Sequence, residues 1–160
     1  MKFSAKLEYA LLALLYLKCE PDEEPVSGRE LSQKLSIPYR FLERILSDLK
    51  RAGIVRSQRG NKGGYQLNAG PTEISIYDIY EVTEGKLEPY DCIHSQERCH
   101  NDHNQCVISH FYADFKETLI KLMKSYTLQR LCVTAKTLRT QGAKTPEKEA
   151  VSDIKNAVSG

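Results

Sequence analysis

The chain has 160 residues and a formal net charge of only +2, with 41% hydrophobic and 28% charged residues. That size suits one domain with an arm or tail, and the near-neutral balance excludes a globally basic nucleic-acid binder, so any such role rests on where the charge lies. The opening Met1-Lys2-Phe3-Ser4-Ala5-Lys6 lacks a secretory pattern and no apolar run nears the roughly 18 residues of a membrane span, so a cytoplasmic protein with no membrane partner is expected. In that reducing compartment, five unevenly spaced cysteines read as thiols or metal ligands rather than disulfides.

Ser4 to Lys18, rich in leucine and alanine and free of Gly and Pro, predicts a buried helix that is apolar on nearly every side. Cys19 to Pro25 is a polar, proline-bounded loop. Ser27 caps the next helix, which carries Leu31 and Leu35, and Glu30 completes a capping-box pattern. Ser36-Ile37-Pro38 makes a turn in which Pro38 suits the first helical position, and Tyr39 to Ala52 forms the following helix. Phe41, Leu42, Ile45, Leu46 and Leu49 repeat at helical spacing there, leaving Arg40, Glu43, Arg44, Ser47, Asp48, Lys50 and Arg51 to face outward. Gly53 ends the helix. Two β-like runs, Ile54 to Ser57 and Tyr65 to Leu67, flank a glycine-rich tip from Gln58 to Gly64. Helix, turn, helix and basic hairpin make residues 1–70 a winged helix-turn-helix DNA-binding domain.

Ile74 to Val82 predicts a further short helix. From Val107 to Tyr126, the residues Val107, Ile108, Phe111, Phe115, Leu119, Leu122, Met123 and Tyr126 fall on one stripe at steps of three and four. A helix of about 20 residues exceeds the usual 11 to 12, and pairing with a second copy is its natural use. Residues 71–135 therefore read as a metal-binding segment plus a dimerisation helix, and the polar stretch 141–160 as a disordered tail. The expected fold class is mainly α with a small β-hairpin wing.

Charge is unevenly placed. Arg40 to Lys62 carries a net +5, whereas Thr72 to Cys106 carries a net −6. The second helix of a helix-turn-helix enters the major groove, which puts Tyr39, Arg40, Glu43 and Arg44 near base edges. Arginine pairs with guanine and glutamate accepts from cytosine N4. In the tip, Arg59 and Lys62 are placed for a neighbouring minor groove, where narrowing attracts arginine. The bland alternative is a protein-docking module with a solvated basic face.

All four histidines and three of the five cysteines fall between 92 and 110. Cys92, Cys99 and Cys106 stand at even seven-residue steps among His94, His100, His103 and His110. Thiolates bind zinc or the iron of iron–sulfur clusters. Zinc fingers pair ligands two to four residues apart, and the wide spacing here favours a cluster. Three cysteines leave one ligand open. The segment's histidines are candidates, although a solvated loop residue is the ordinary reading for any one of them. Glu8 is another, since Leu11, Leu12 and Leu15 place it on an apolar face where a carboxylate needs a partner, and a salt bridge is the equal alternative. Cys19 and Cys132 read as small buried hydrophobes. No nucleophile–base pair, phosphate loop or paired-carboxylate motif points to an enzyme.

Ser4-Ala5-Lys6 with Tyr9-Ala10, the helix Ile37 to Gly53 with Leu42-Glu43, the wing Arg59-Gly60-x-x-Gly63-Gly64-Tyr65 and the cysteine triplet resemble the Rrf-two family of winged-helix iron–sulfur transcription regulators, IscR-like and NsrR-like members included. The resemblance covers roughly residues 1 to 135. It implies a homodimer on a double-stranded DNA operator, and an iron–sulfur cluster on Cys92, Cys99 and Cys106 whose state controls DNA affinity in response to redox state, iron supply or a reactive gas. Two departures matter. The six-residue gaps between cysteines differ from the spacings of either group, and three residues after the last cysteine, where IscR-like members carry a ligand histidine, stands Ser109, with His110 one further on. In NsrR-like members an acidic residue of the other subunit's first helix completes the site, and Glu8 occupies that position, so the resemblance ranks Glu8 above His110. Such ligation suits [2Fe–2S] better than [4Fe–4S]. A structural zinc without sensing is the alternative.

Overall fold

A computed structural model describes residues 3–19, 24–60, 63–68, 70, 72–88 and 106–140. The elements run α1 (Ala5–Cys19), α2 (Gly28–Leu35), α3 (Tyr39–Arg51), β1 (Val55–Gln58), β2 (Gly64–Leu67), α4 (Ile76–Glu84), α5 (Val107–Ser125) and α6 (Leu128–Thr140). Among the described residues the fold is thus mostly helical with one antiparallel hairpin, as expected.

α1 is apolar around most of its circumference, so tertiary packing rather than an amphipathic stripe sets its orientation. It buries Leu7, Ala10, Ala13 and Leu14 and turns Glu8 and Leu12 outward. The Ser4 hydroxyl accepts the N–H of Lys6 at 3.1 Å, capping the helix, and donates to Glu84 of α4. Two apolar clusters meet on α1. Leu7, Leu14, Ile45, Leu49, Ile79 and Leu128 belong to the larger, which joins α1, α3, α4, α5 and α6. Ala13, Leu31, Ile37, Leu42 and Leu46 form the smaller, beneath the helix-turn-helix. Each fully buried leucine contributes about 1.5–3 kcal/mol.

The turn between α2 and α3 is closed by its own polar groups. Ser36 takes the left-handed conformation at φ 54°, Ile37 donates its N–H to the Ser32 carbonyl at 3.1 Å, and Ser32 Oγ donates to the Ile37 carbonyl at 2.6 Å. Ile37 is thereby pressed into the core. Pro38 is the cap residue rather than the first helical one, and its carbonyl accepts from Phe41 and Leu42, both at 3.0 Å. At α2 only half of the expected capping box forms, the Ser27 hydroxyl accepting from Glu30 N–H at 3.2 Å. The complete reciprocal box lies at α4, between Ser75 and Asp78.

Val55 to Gln58 pairs with Leu67 to Gly64 in antiparallel register, and Val26 exchanges two backbone hydrogen bonds with Tyr65, which moors the hairpin to the start of α2. A Cβ at Gly64 would run into the Val26 carbonyl, so only glycine permits this approach.

α5 ends where expected. It breaks at Tyr126, and the chain there pairs with the residues that open α4: Ile76 donates to the Tyr126 carbonyl and Leu128 to the Ile74 carbonyl, each at 2.8 Å. Met123, Leu119 and Ile120 face the core, whereas Val107, Ile108, Phe111, Phe115 and Leu122 are exposed. No helix among the described residues is long and apolar enough to cross a membrane.

Two expectations are corrected. Cys19 and Cys132, read as separate buried thiols, are joined as a disulfide, because the end of α1 packs on α6 and brings their Cα atoms to 6.3 Å. Burial holds for Cys132 alone, Cys19 being half-buried. Glu8 lies on the solvent side of α1 rather than in an apolar seam, so the burial argument for its needing a partner lapses. The tail 141–160 lies outside the described residues.

Candidate nucleic-acid interface and metal segment

α3 stands on a buried base of Leu42, Ile45, Leu46 and Leu49, which leaves Tyr39, Arg40, Glu43, Arg44, Lys50 and Arg51 in solvent on the other side. Phe41, expected inside, is 37% exposed and meets Tyr9 edge-on at 5.7 Å. At the helix start the Arg29 guanidinium lies 5.9 Å over the Tyr39 ring, and the Tyr39 hydroxyl donates to Glu43 Oε1 at 3.3 Å. Tyr65 of β2 belongs to the same corner. Its burial, then the neighbouring Tyr39 and Glu43, push its phenol above the ordinary range, so it stays neutral.

Both carboxylates of α3 are engaged. One Glu43 oxygen accepts from Tyr39, while Asp48 binds Lys6 of α1 at 2.8 Å and Arg51 at 3.6 Å. Asp48 is therefore half-buried rather than outward-facing. The exposed face is left to the cations Arg40, Arg44 and Lys50. Sequence reasoning missed Arg29 and Lys6, which lie on other helices and carry no periodic signal toward α3.

In the wing, Arg59 is exposed beside Gly60, whose φ of 120° only glycine adopts readily. The Gly63 N–H donates to the Gly60 carbonyl at 2.9 Å, and a Cβ on Gly63 would stand 2.5 Å from the Gln58 carbonyl oxygen. These glycines make a tight tip with Arg59 at its shoulder. Lys62 lies outside the described residues. At the base, Asn68 Nδ2 donates to the Gly53 carbonyl at 2.9 Å and ties the wing back to α3.

Of the cysteine triplet, Cys106 is described. It is a free, half-buried thiol at the N-cap of α5, and its carbonyl accepts the His110 N–H at 3.2 Å. His110 is exposed one turn into the helix. Cys92, Cys99, His94, His100 and His103 lie outside the described residues. Among the described residues, no hydrogen bond or ion pair engages the Glu8 carboxylate, and no three acidic, histidine or cysteine side chains gather as a metal site. The donors themselves fit iron: a thiol sulfur at a helix N-terminus, where the dipole favours an anionic ligand, and an uncommitted carboxylate. Leu87, 1% exposed, and the Glu88–Lys116 ion pair at 3.4 Å hold the chain against the core and α5 just before the segment begins.

Residues 3–134 match the Rrf2 family, described as iron-dependent transcriptional regulators. Over 90 residues the chain is 42% identical to the HTH-type transcriptional regulator slr0846 of Synechocystis, a stretch covering 56% of this chain and 61%, under two thirds, of that relative. Among solved structures, CymR, titled the global cysteine regulator of B. subtilis, is similar with a TM-score of 0.70 and 28% identity, covering 84% of this chain and 98% of CymR. IscR of T. potens is similar with a TM-score of 0.68 and 27% identity, covering 91% and 94%. Helix, turn, helix and moored wing, followed by a long helix, make up the fold that resembles these structures, and the chain belongs to the Rrf2 family of transcriptional regulators.

Proposed function

We propose that this protein is a homodimeric transcription regulator whose affinity for a double-stranded DNA operator is controlled by an iron–sulfur cluster, [2Fe–2S], held by Cys92, Cys99 and Cys106 with Glu8 of the partner subunit as fourth ligand. One observation carries the reading: Cys106, a free thiol, heads the same helix whose apolar stripe is left exposed, so the metal segment and the face for a second copy meet at one helix end. The family's description as iron-dependent and the likeness to IscR support it. Glu8 is solvent-facing and, among the described residues, uncommitted, as a ligand donated to another subunit must be. When bound, the cluster supplies one-electron redox chemistry and sensitivity to reactive gases. The chain's own residues do the rest. Arg40 and Arg44 face guanines, Glu43 presents its second oxygen to a cytosine, and Arg59 and Lys62 grip a minor groove. The likeness to CymR favours a cluster-free regulator as the second reading.

Anaerobic purification separates these readings. A coloured protein with about two iron and two sulfide per protomer is expected; colourless protein with one zinc, or with no metal, refutes the cluster. Glu8→Ala should weaken cluster retention without lowering Tm, since the side chain is exposed. An unchanged visible spectrum would return Glu8 to an ordinary surface residue.

A further inference from the structure

One reactive pair plays no part in that scheme. Cys19 ends α1 and Cys132 lies in the first half of α6, and the two are joined as a disulfide whose Cα separation of 6.3 Å is within the ordinary span. Their surroundings differ. Cys132 is 2% exposed, while Cys19 is half-buried at the helix end. An oxidant therefore reaches Cys19 first, and Cys132 waits behind it as the resolving sulfur.

The position gives the bond leverage. α1 is the helix on which both apolar clusters rest, and α6 begins at the backbone pairing with Ile74 and Ile76. With a sequence separation of 113, the link encloses α2, α3, the wing, α4, the cysteine triplet and α5. Closing it fixes the DNA-reading half to the junction from which α5 projects. Neither cysteine belongs to the triplet, and Cys106 stays a free thiol while the pair is joined.

We propose that Cys19 and Cys132 form a second redox site, separate from the cluster ligands, which a peroxide closes and a dithiol reopens, and whose closure sets DNA affinity by fixing α1 to α6. Cys19 releases its proton to solvent and its thiolate attacks one peroxide oxygen; the O–O bond breaks, the leaving oxygen takes a proton from solvent and departs as alcohol or water, and Cys19 becomes a sulfenic acid. The Cys132 sulfur then attacks the Cys19 sulfur, the S–O bond breaks, and water leaves with the Cys132 proton as the disulfide forms. Two thiols lose two electrons and the peroxide takes both. A dithiol reverses the step by exchange through a mixed disulfide.

The test uses the full-length protein, reduced under anaerobic conditions and then given stoichiometric hydrogen peroxide, with thiols alkylated before and after reduction by light and heavy forms of one reagent. Mass spectrometry should recover a Cys19–Cys132 cross-linked peptide. Closure should raise Tm by about 10 °C, given the length of loop enclosed. It should also change affinity for a duplex selected from a random-sequence library by about fivefold or more. Cys19→Ser and Cys132→Ala should each abolish all three responses while keeping the wild-type visible spectrum. Absence of the cross-link, a cross-link that leaves duplex affinity unchanged, or responses that persist in Cys19→Ser would overturn the proposal. Should Cys132→Ala, a change in the core, fail to fold, Cys19→Ser at the half-buried helix end decides alone. Because the cross-link and Tm are read without iron, a failure here is distinguishable from a failure of the cluster reading.

Discussion

Phe111→Ala measures what the exposed side of α5 is for. Phe111 is 61% exposed, stacks on Phe115 with ring centroids 6.2 Å apart and meets Tyr112 edge-on at 5.3 Å. A phenylalanine offers roughly 200 Å² of surface, so the ring leaves about 120 Å² for a partner to cover. At about 25 cal/mol per Å² that is ~3 kcal/mol per protomer, and ~6 kcal/mol when a twofold axis uses the residue twice. Association recovers only part of such a sum, since the Cβ remains and ordering costs intervene. Half of it, about 3 kcal/mol, corresponds to a dimer roughly 100-fold weaker. Sedimentation equilibrium across a concentration series reads this directly, with circular dichroism to show that helix content is kept. Glu117→Ala serves as the control: its pair with Lys121, 2.6 Å apart, lies on the surface, where such pairs contribute little. A dissociation constant for Phe111→Ala within about threefold of wild type would show that the second copy docks elsewhere.

Two further outcomes follow from the geometry. Arg59→Ala should weaken operator binding by about 10- to 100-fold and flatten its salt dependence by roughly one contact, with Tm unchanged because the side chain is exposed; full affinity at matched salt would contradict a minor-groove role. Ser75→Ala removes an oxygen that accepts the Asp78 N–H at 3.2 Å and donates to its carboxylate at 2.6 Å, so a loss of about 1–2 kcal/mol and 2–8 °C in Tm is expected. Ser27→Ala, which breaks a one-sided cap, should cost less, and the reverse ranking in thermal melts would refute the argument.

How far the sequence could be read depended on whether each element had a distinct outer face. α3 and α5 carry sharp apolar stripes, and both were legible to within a residue or two. α1 has apolar side chains nearly all round, so the pattern could not say which way Glu8 points; the small residues Ala10 and Ala13, which let neighbours come close, decided it. α6 intersperses its buried Leu128 and Cys132 with Gln129, Arg130 and Thr134, a pattern too thin to mark an element or to bring Cys132 toward Cys19. The reciprocal cap at Ser75 was hidden because aspartate, not the glutamate of the usual motif, stands at its third position. The Tyr39–Glu43 contact lay one helical turn apart and was within reach of spacing alone. Arg29 over Tyr39 needed the angle between two helices.

The joint between α5 and α6 has a mechanical consequence. Its bonds run from the N–H groups of Ile76 and Leu128 to main-chain carbonyls, so they are indifferent to side chains and only proline would delete a donor. Beyond that root, Leu119, Ile120 and Met123 are embedded, while Val107, Ile108, Phe111 and Phe115 turn outward among the described residues. From Cys106 to Phe115, α5 extends about 13 Å with Cys106 at its end. A lateral shift of about 1 Å at that end corresponds to a tilt of roughly 4° over that length, in a helix whose joint lies next to the Ser75 cap of α4. A displacement at one sulfur is thereby read at the joint as an angle.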